Sequence, residues 1–346
     1  MVNRILLVKT HAIGDVLMTT PALRAVRIRF PDAEISYLVG SWSAEILRNN
    51  PNIDSLLVAP DEIFFKKRIL RLLALRNTIK SRSYDLAVLF QPAFFVRALI
   101  RSSGVRKIAG FHNGKIPKSL DYACQWRANR ERYVGEDFLD VARCLGAEND
   151  GQGMEYHIPI SAEKSVKKIF ELQRIKADNY IVISPGGGKN PRDHVLQKIW
   201  PGNRYANIAV KLCDLGYSVL VTGLEGEWKV DLSFSNGSNI VDLTGKTTLA
   251  ELAELINNAK LLITNDSLPM HLGIALKTKT IPIFGPTRPE ALLPEGALVY
   301  PVVSSSSCAP CYDNEVFRGC PYFHCIQSIS EDEVAVRINK ALGSSI

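Results

Sequence analysis

No apolar run in this 346-residue chain reaches the roughly 18 residues that a membrane-spanning helix needs. The opening MVNRILLVKTHAIGDV has no basic leader, apolar core and small-residue cleavage site, so a secretory signal is not expected. A cytoplasmic location is therefore expected, with peripheral contact with the inner face of the cytoplasmic membrane left open. There is no G-x-G-x-x-G fingerprint, and the second predicted strand ends in Gly40 rather than in an acid that could hold a ribose. That counts against a nicotinamide oxidoreductase. An Asp-x-Asp pair suited to carrying a divalent cation is also missing.

What is present is ordinary for a globular protein: 46% apolar and 22% charged residues, over a length that suits two domains. The net charge of +7 is unevenly spread, since residues 1–150 hold 23 Lys and Arg against 15 Asp and Glu. A basic first half suits an anionic partner, whether phospholipid, phosphorylated glycolipid or nucleic acid, or serves only to keep the protein in solution.

Apolar periodicity gives alternating strands and helices twice over. Strands are expected at 4–9, 34–39, 54–59, 84–90 and 106–111, with helices over 16–30 and 64–80. The pattern restarts with strands at 179–185, 217–223, 239–245, 259–266 and 279–286 and helices at 204–216, 248–259 and 267–276. The expected fold is α/β, with two Rossmann-like open parallel sheets facing across a cleft. Domain one would span 1–160, domain two 175–330, and a closing helix, 331–346, would pack back on the first domain. Segment 146–156 is the most linker-like stretch, and a helix over 161–174 lies near the boundary.

Ligands of such sheets bind beyond the carboxyl ends of the strands, and four segments there could carry chemistry. In KTHAIGDV, Lys9 ends a strand and Gly14-Asp15 open the next helix. Gly14 would permit a tight turn, and Asp15 is placed to act as a general base or simply to cap the helix. ISPGGGKNPRDHVLQKIWP runs from a strand through Gly186 and Gly187 to Lys198, which is either a phosphate cradle or a plain loop. Glu225 and Glu227 follow another strand and could meet ribose hydroxyls or stay solvated. Most specific is ITNDSLPMHLGIAL, where Asp266 and Ser267 precede a helix that carries His271 and whose free amides suit a phosphate. The next strand brings FGPT to the same rim.

Together, GDVLMTTPALRAV, SPGG, KIWP, TGLEGE, NDSLPMHLGIAL and FGPT resemble glycosyltransferase family 9, the lipopolysaccharide heptosyltransferases, over most of the chain. The resemblance implies a GT-B fold and an inverting, metal-independent enzyme that passes heptose from ADP-heptose to a lipid A–Kdo type inner core. Its partners would be that nucleotide sugar, an anionic glycolipid and the membrane surface, with no nucleic acid. It implies Asp15 as the base, with Lys9, His11 and Gly14 on the acceptor side. Lys198, Gly186, Gly187, Glu227, Asp266, Ser267, Leu268 and His271 would surround the donor. Leu268 stands where the family usually has glycine, which keeps open a paralogue using another nucleotide sugar and a non-catalytic sugar-nucleotide-binding relative.

Cys308, Cys311, Cys320 and Cys325 form a C-x2-C, C-x4-C set beside His324. Structural zinc or iron, reduced thiols and disulfides are all consistent with that spacing; catalysis as implied needs no cofactor. Cys124, Cys144 and Cys213 are expected as buried thiols. Segment 63–82 mixes seven Lys and Arg with large apolar residues, which suits either a bilayer surface or packing into the first domain.

Overall fold

The computed structural model describes residues 2–65, 69–127, 131–177, 179–187, 195–226, 239–312 and 320–343. Contacts divide the chain into two compact units, Met1–His157 and Ile158–Ile346.

The first unit runs β1 (Arg4–Val8), α1 (Ile13–Met18), α2 (Thr20–Arg29), β2 (Glu34–Gly40), a 3-10 turn (Ser41–Leu47), β3 (Ser55–Ala59), α3 (Glu62–Phe65), α4 (Ile69–Ser81), β4 (Leu86–Leu89), α5 (Phe94–Ser102), β5 (Lys107–His112), β6 (Tyr122–Gln125) and α6 (Val134–Arg143). All six strands are parallel, in the order β3-β2-β1-β4-β5-β6. Helices cover both faces of such a sheet, so β1 and β4 read as unbroken apolar runs, fully buried from Ile5 to Val8 and from Leu86 to Leu89. The helix expected over 16–30 is two helices broken at Thr19, because Pro21 has no amide hydrogen and its ring would strike the preceding turn.

The second unit runs α7 (Ile160–Gln173), β7 (Tyr180–Ser184), a 3-10 turn (Leu196–Lys198), α8 (Gly202–Asp214), β8 (Ser218–Val221), β9 (Ile240–Asp242), α9 (Leu249–Asn257), β10 (Leu261–Asn265), α10 (Leu268–Ala275), β11 (Thr280–Phe284), α11 (Pro289–Leu292), β12 (Val302–Val303), α12 (His324–Gln327) and α13 (Glu331–Leu342). Its parallel sheet, β12-β11-β10-β7-β8-β9, repeats the connectivity of the first. In each, the strand order reverses between the first and fourth strands, the place where open α/β sheets take ligands.

One expectation is corrected. Segment 146–156 is no loose linker, because the buried Arg24 guanidinium forks onto Asp150 at 2.6 and 2.8 Å and reaches Glu155 at 2.6 Å. Helix α13 belongs to the second unit. Its buried Val334, Ile338 and Ala341 join the second core, against α8, β11 and β12. Of the three scattered cysteines, Cys124 and Cys213 are half-buried and Cys144 is exposed. Burial pushes the Cys124 thiol up to about 12, with Cys144 and nearby carboxylates adding to the shift.

Candidate functional site

Both sheets build their switch point in the same way, with a side-chain amide stapling the two central strands. In the first unit Gln91, just past β4, accepts from the Thr10 amide at 2.9 Å, and its Nε2 is 3.1 Å from the Thr10 hydroxyl. In the second, Asn265 ends β10 wholly buried and donates to the Pro185 carbonyl, 2.5 Å away, beyond β7. Its oxygen accepts from the Trp200 amide at 3.0 Å and the Tyr205 hydroxyl at 2.9 Å, so every polar atom of this side chain is used. Neither amide was singled out from the sequence. The available signal was a lone amide residue directly after an apolar strand, in LAVLFQP and LLITND.

Around the first staple, the Lys9 ammonium donates to Asp15 Oδ2 at 2.8 Å. Lys9 is only 2% exposed while the Asp15 side chain keeps 20%, so the carboxylate is the member of the pair that reaches solvent. Lys9, expected on the acceptor side, is buried behind Asp15. Gly14 differs from expectation, because it lies inside α1 and the left-handed residue at this turn is Ala12, at φ 63°. An alanine held there stores strain of about 1 to 2 kcal/mol at the edge of the site. His11 Nδ1 lies 3.0 Å from the Thr10 hydroxyl. The sequence reading missed Tyr133, whose hydroxyl is buried with no hydrogen-bond partner among the described residues. Burial, then the charges of Glu136 and Asp15, push its phenol well above the ordinary range. Its ring fills the space over Gly135, where a Cβ would come within 2.3 Å.

Around the second staple, Lys198 ends its 3-10 turn and donates to Asp266 Oδ2 at 2.7 Å; the Thr287 hydroxyl donates to the same oxygen at 2.8 Å. Burial opposes ionisation of Asp266, but Lys198, with smaller help from His271 and Thr287, holds its carboxyl below the usual range. His271 is itself buried, one turn into α10. Gly187 has φ +133°, and a Cβ there would lie 2.7 Å from the Ser267 Cβ. Glycine is therefore required for the loop after β7 to approach the start of α10. Ser267 sits at the N-cap of α10 with no side-chain cap, and Leu268, half-buried, opens the helix. Thus Gly187, Lys198, Asp266, Ser267, His271 and Thr287 gather at one switch point, and Gly186 adjoins them through its carbonyl, which accepts from Asn265 at 3.2 Å. Glu227 lies outside the described residues; Glu225 is described and exposed.

The cysteine loop abuts this cluster. Cys308, Cys311, Cys320 and Cys325 line one cavity of about 260 Å³ together with Gln197 and His324. Gln197 donates to the Cys320 carbonyl, the Cys311 and Tyr312 amides both donate to the Pro286 carbonyl at 2.9 Å, and Lys198 stands 4.9 Å from the centre of the Tyr312 ring. Burial raises the Cys325 thiol, and the other three cysteines add to the shift. Among the described residues no three His, Cys, Asp or Glu side chains are gathered closely enough to hold a metal.

Two clusters of opposite character result. One presents a carboxylate backed by a buried cation, and the other presents a cation and helix amides beside a glycine loop. That is the equipment for taking a proton from one partner and holding an anionic group of another. A family model described as glycosyltransferase family 9 (heptosyltransferase) matches residues 72–320. Lipopolysaccharide heptosyltransferase 3 of Escherichia coli is 27% identical over 79% of this chain and 81% of its own length. A family 9 glycosyl transferase structure from Veillonella parvula superposes with a TM-score of 0.80 at 23% identity, covering 98% of this chain and 97% of that one. An E. coli heptosyltransferase solved with ADP-2-deoxy-2-fluoro heptose gives 0.69 at 18% identity, covering 97% and 99% of the two chains.

Proposed function

Because the chain belongs to glycosyltransferase family 9, the heptosyltransferase family, and is a glycosyltransferase of GT-B type, we propose that it transfers heptose from ADP-heptose to an anionic lipopolysaccharide inner-core acceptor. The observation that carries this reading is the buried Lys198–Asp266–Thr287 cluster beside Gly187 and the start of α10. Lys198 and the α10 amides stabilise the charge that develops on the leaving diphosphate, so the step runs without a catalytic metal. Asp266 and His271 orient the donor sugar and phosphates.

In the reaction, an acceptor hydroxyl oxygen bonds to the anomeric carbon as the bond from that carbon to the β-phosphate oxygen breaks. ADP leaves with the bonding pair, and the hydroxyl proton passes to Asp15. Attack opposite the leaving group inverts the anomeric centre. Lys9 fixes the carboxylate for this transfer, and His11 lies on the acceptor side. The protein acts at the cytoplasmic face of the membrane.

The cysteine cavity is proposed to take a structural zinc or iron, since four thiols suit either ion. Binding would draw the thiols together from their described positions. Metal analysis of protein purified without chelator tests this, and less than one equivalent overturns it. The test of the activity is ADP release with a panel of nucleotide sugars and a heptose-deficient inner-core acceptor. ADP-heptose is expected to be turned over fastest. Preference for another nucleotide sugar would favour a paralogue, a donor change that Leu268 at the mouth of α10 makes specific. Donor binding without turnover of any sugar would favour a binding protein.

A further inference from the structure

The carboxyl edge of the first sheet, which carries Asp15, also carries the most exposed apolar side chains of that unit among the described residues. Phe94 is 73% exposed just past β4, and Ile116 is 57% exposed past β5. Past β3, Ile69 is 72% and Leu70 83% exposed in the first turn of α4. Helix α4 is 13 residues long and ends near the start of β1, where the Arg4 side chain donates to the Arg82 carbonyl at 3.0 Å. Its length of about 20 Å therefore puts Ile69 and Leu70 at the opposite edge, the one that bears Asp15. The helix divides its apolar residues. Leu72, Leu75 and Ile79 pack on the core, while Ile69, Leu70 and Leu73 face away from it.

Charge around these residues is mainly positive. Lys115 and Lys118 flank Ile116 and are exposed. The Arg97 guanidinium lies 5.7 Å from the centre of the Phe94 ring. Arg71 follows Leu70 and meets one acid, Glu62, at 3.8 Å.

We propose that this edge docks on an anionic phospholipid bilayer, with Leu70, Ile69, Phe94 and Ile116 entering the headgroup boundary and Arg71, Arg97, Lys115 and Lys118 meeting lipid phosphates. Apolar side chains at a sheet edge with cations interleaved match the two terms of interfacial binding, apolar burial and attraction to anionic lipid. The occupant is a lipid surface rather than a second copy of the chain, because two copies would bring these cations face to face. The inference rests on the membrane-acceptor reading above and adds the face that docks: it brings the Asp15 edge, and no other, down to the surface where a lipid-anchored acceptor displays its saccharide.

Co-sedimentation with phosphatidylcholine–phosphatidylglycerol vesicles tests it, with pure phosphatidylcholine as the control. The intact protein is expected to bind the mixed vesicles at least ten-fold more tightly. Leu70→Glu and Phe94→Glu should each weaken that binding by about ten-fold while leaving the melting temperature and turnover of a deacylated, water-soluble acceptor unchanged. Equal binding to both vesicles, or retained binding in both variants, overturns the proposal. So does a concentration-dependent dimer that either substitution abolishes without changing vesicle binding. Failure to turn over the soluble acceptor would count against the transferase reading alone, since vesicle binding is scored without catalysis.

Discussion

Replacing Asp266 by Asn perturbs the donor cluster at its most buried charge. The side chain is 5% exposed, accepts from Lys198 and Thr287 at 2.7 and 2.8 Å, and faces His271. Asparagine keeps the shape and one acceptor oxygen but removes the negative charge. Two unit charges about 4 Å apart attract by about 4 kcal/mol at an effective dielectric of 20. Removing one partner of a buried pair typically costs about 3 to 5 kcal/mol. Lys198 retains 17% exposure and can recover some hydration, which places the expected loss near the lower figure, about 3 kcal/mol. Urea unfolding followed through fluorescence of the fully buried Trp200, in a background with Trp42, Trp126 and Trp228 replaced by Phe, reads the unit concerned. The pH dependence carries a definite sign. The folded carboxyl lies below its ordinary value, so the pair's contribution is present above the unfolded value of about 3.9 and is lost as pH falls through the folded one. The gap between wild type and Asp266→Asn should therefore be flat near neutrality and shrink below about pH 4. A gap under about 1 kcal/mol at pH 7, within the range of an exposed ion pair, or one that widens in acid, would refute the reasoning.

Gly187→Ala places a methyl 2.7 Å from the Ser267 Cβ at a φ of +133°; it should cost about 1 to 3 kcal/mol of stability and weaken ADP binding, both readable in a thermal-shift titration. Tyr312→Leu removes the ring beside Lys198; an attraction of about 0.5 to 1 kcal/mol predicts a donor KM raised by roughly two- to five-fold with kcat little changed. Arg24→Ala deprives Asp150 and Glu155 of their shared cation; a loss of about 3 kcal/mol is expected, with hydrogen exchange rising across 146–156.

Much of this architecture is legible in the chain because parallel strands covered on both faces must be continuous apolar runs, as RILLVK and NYIVISP are. The short edge strands β6 and β12 escape that signal. YACQ is only partly buried, and Val302–Val303 is two residues long. Helices α5 and α6 were also passed over, although FFVRALIRS and VGEDFLDVAR carry helical spacing.

At the sites, residues announced by their neighbours, such as Asp266 in NDSLPMH, are found where the pattern implies. Residues whose role depends on a partner far along the chain are not. Lys9 reads as a strand-end cation until its burial against Asp15 is seen, and Gln91 gains meaning only from Thr10, 81 residues earlier. Gly14 invited a turn that the backbone instead makes at Ala12. The cysteine spacing is consistent with metal, free thiols or disulfides alike, and only the fold brings their loop against Pro286 and Lys198, beside the donor cluster.

In the proposed mechanism Asp15 receives the acceptor's proton while the residues around Lys198 and Asp266 hold the donor. Single-turnover ADP release by Asp15→Asn, measured beside ADP-heptose affinity, tests it most directly. Turnover should fall by about 10²-fold or more with affinity unchanged. Near-normal turnover, or a comparable loss of donor affinity, would contradict the assignment.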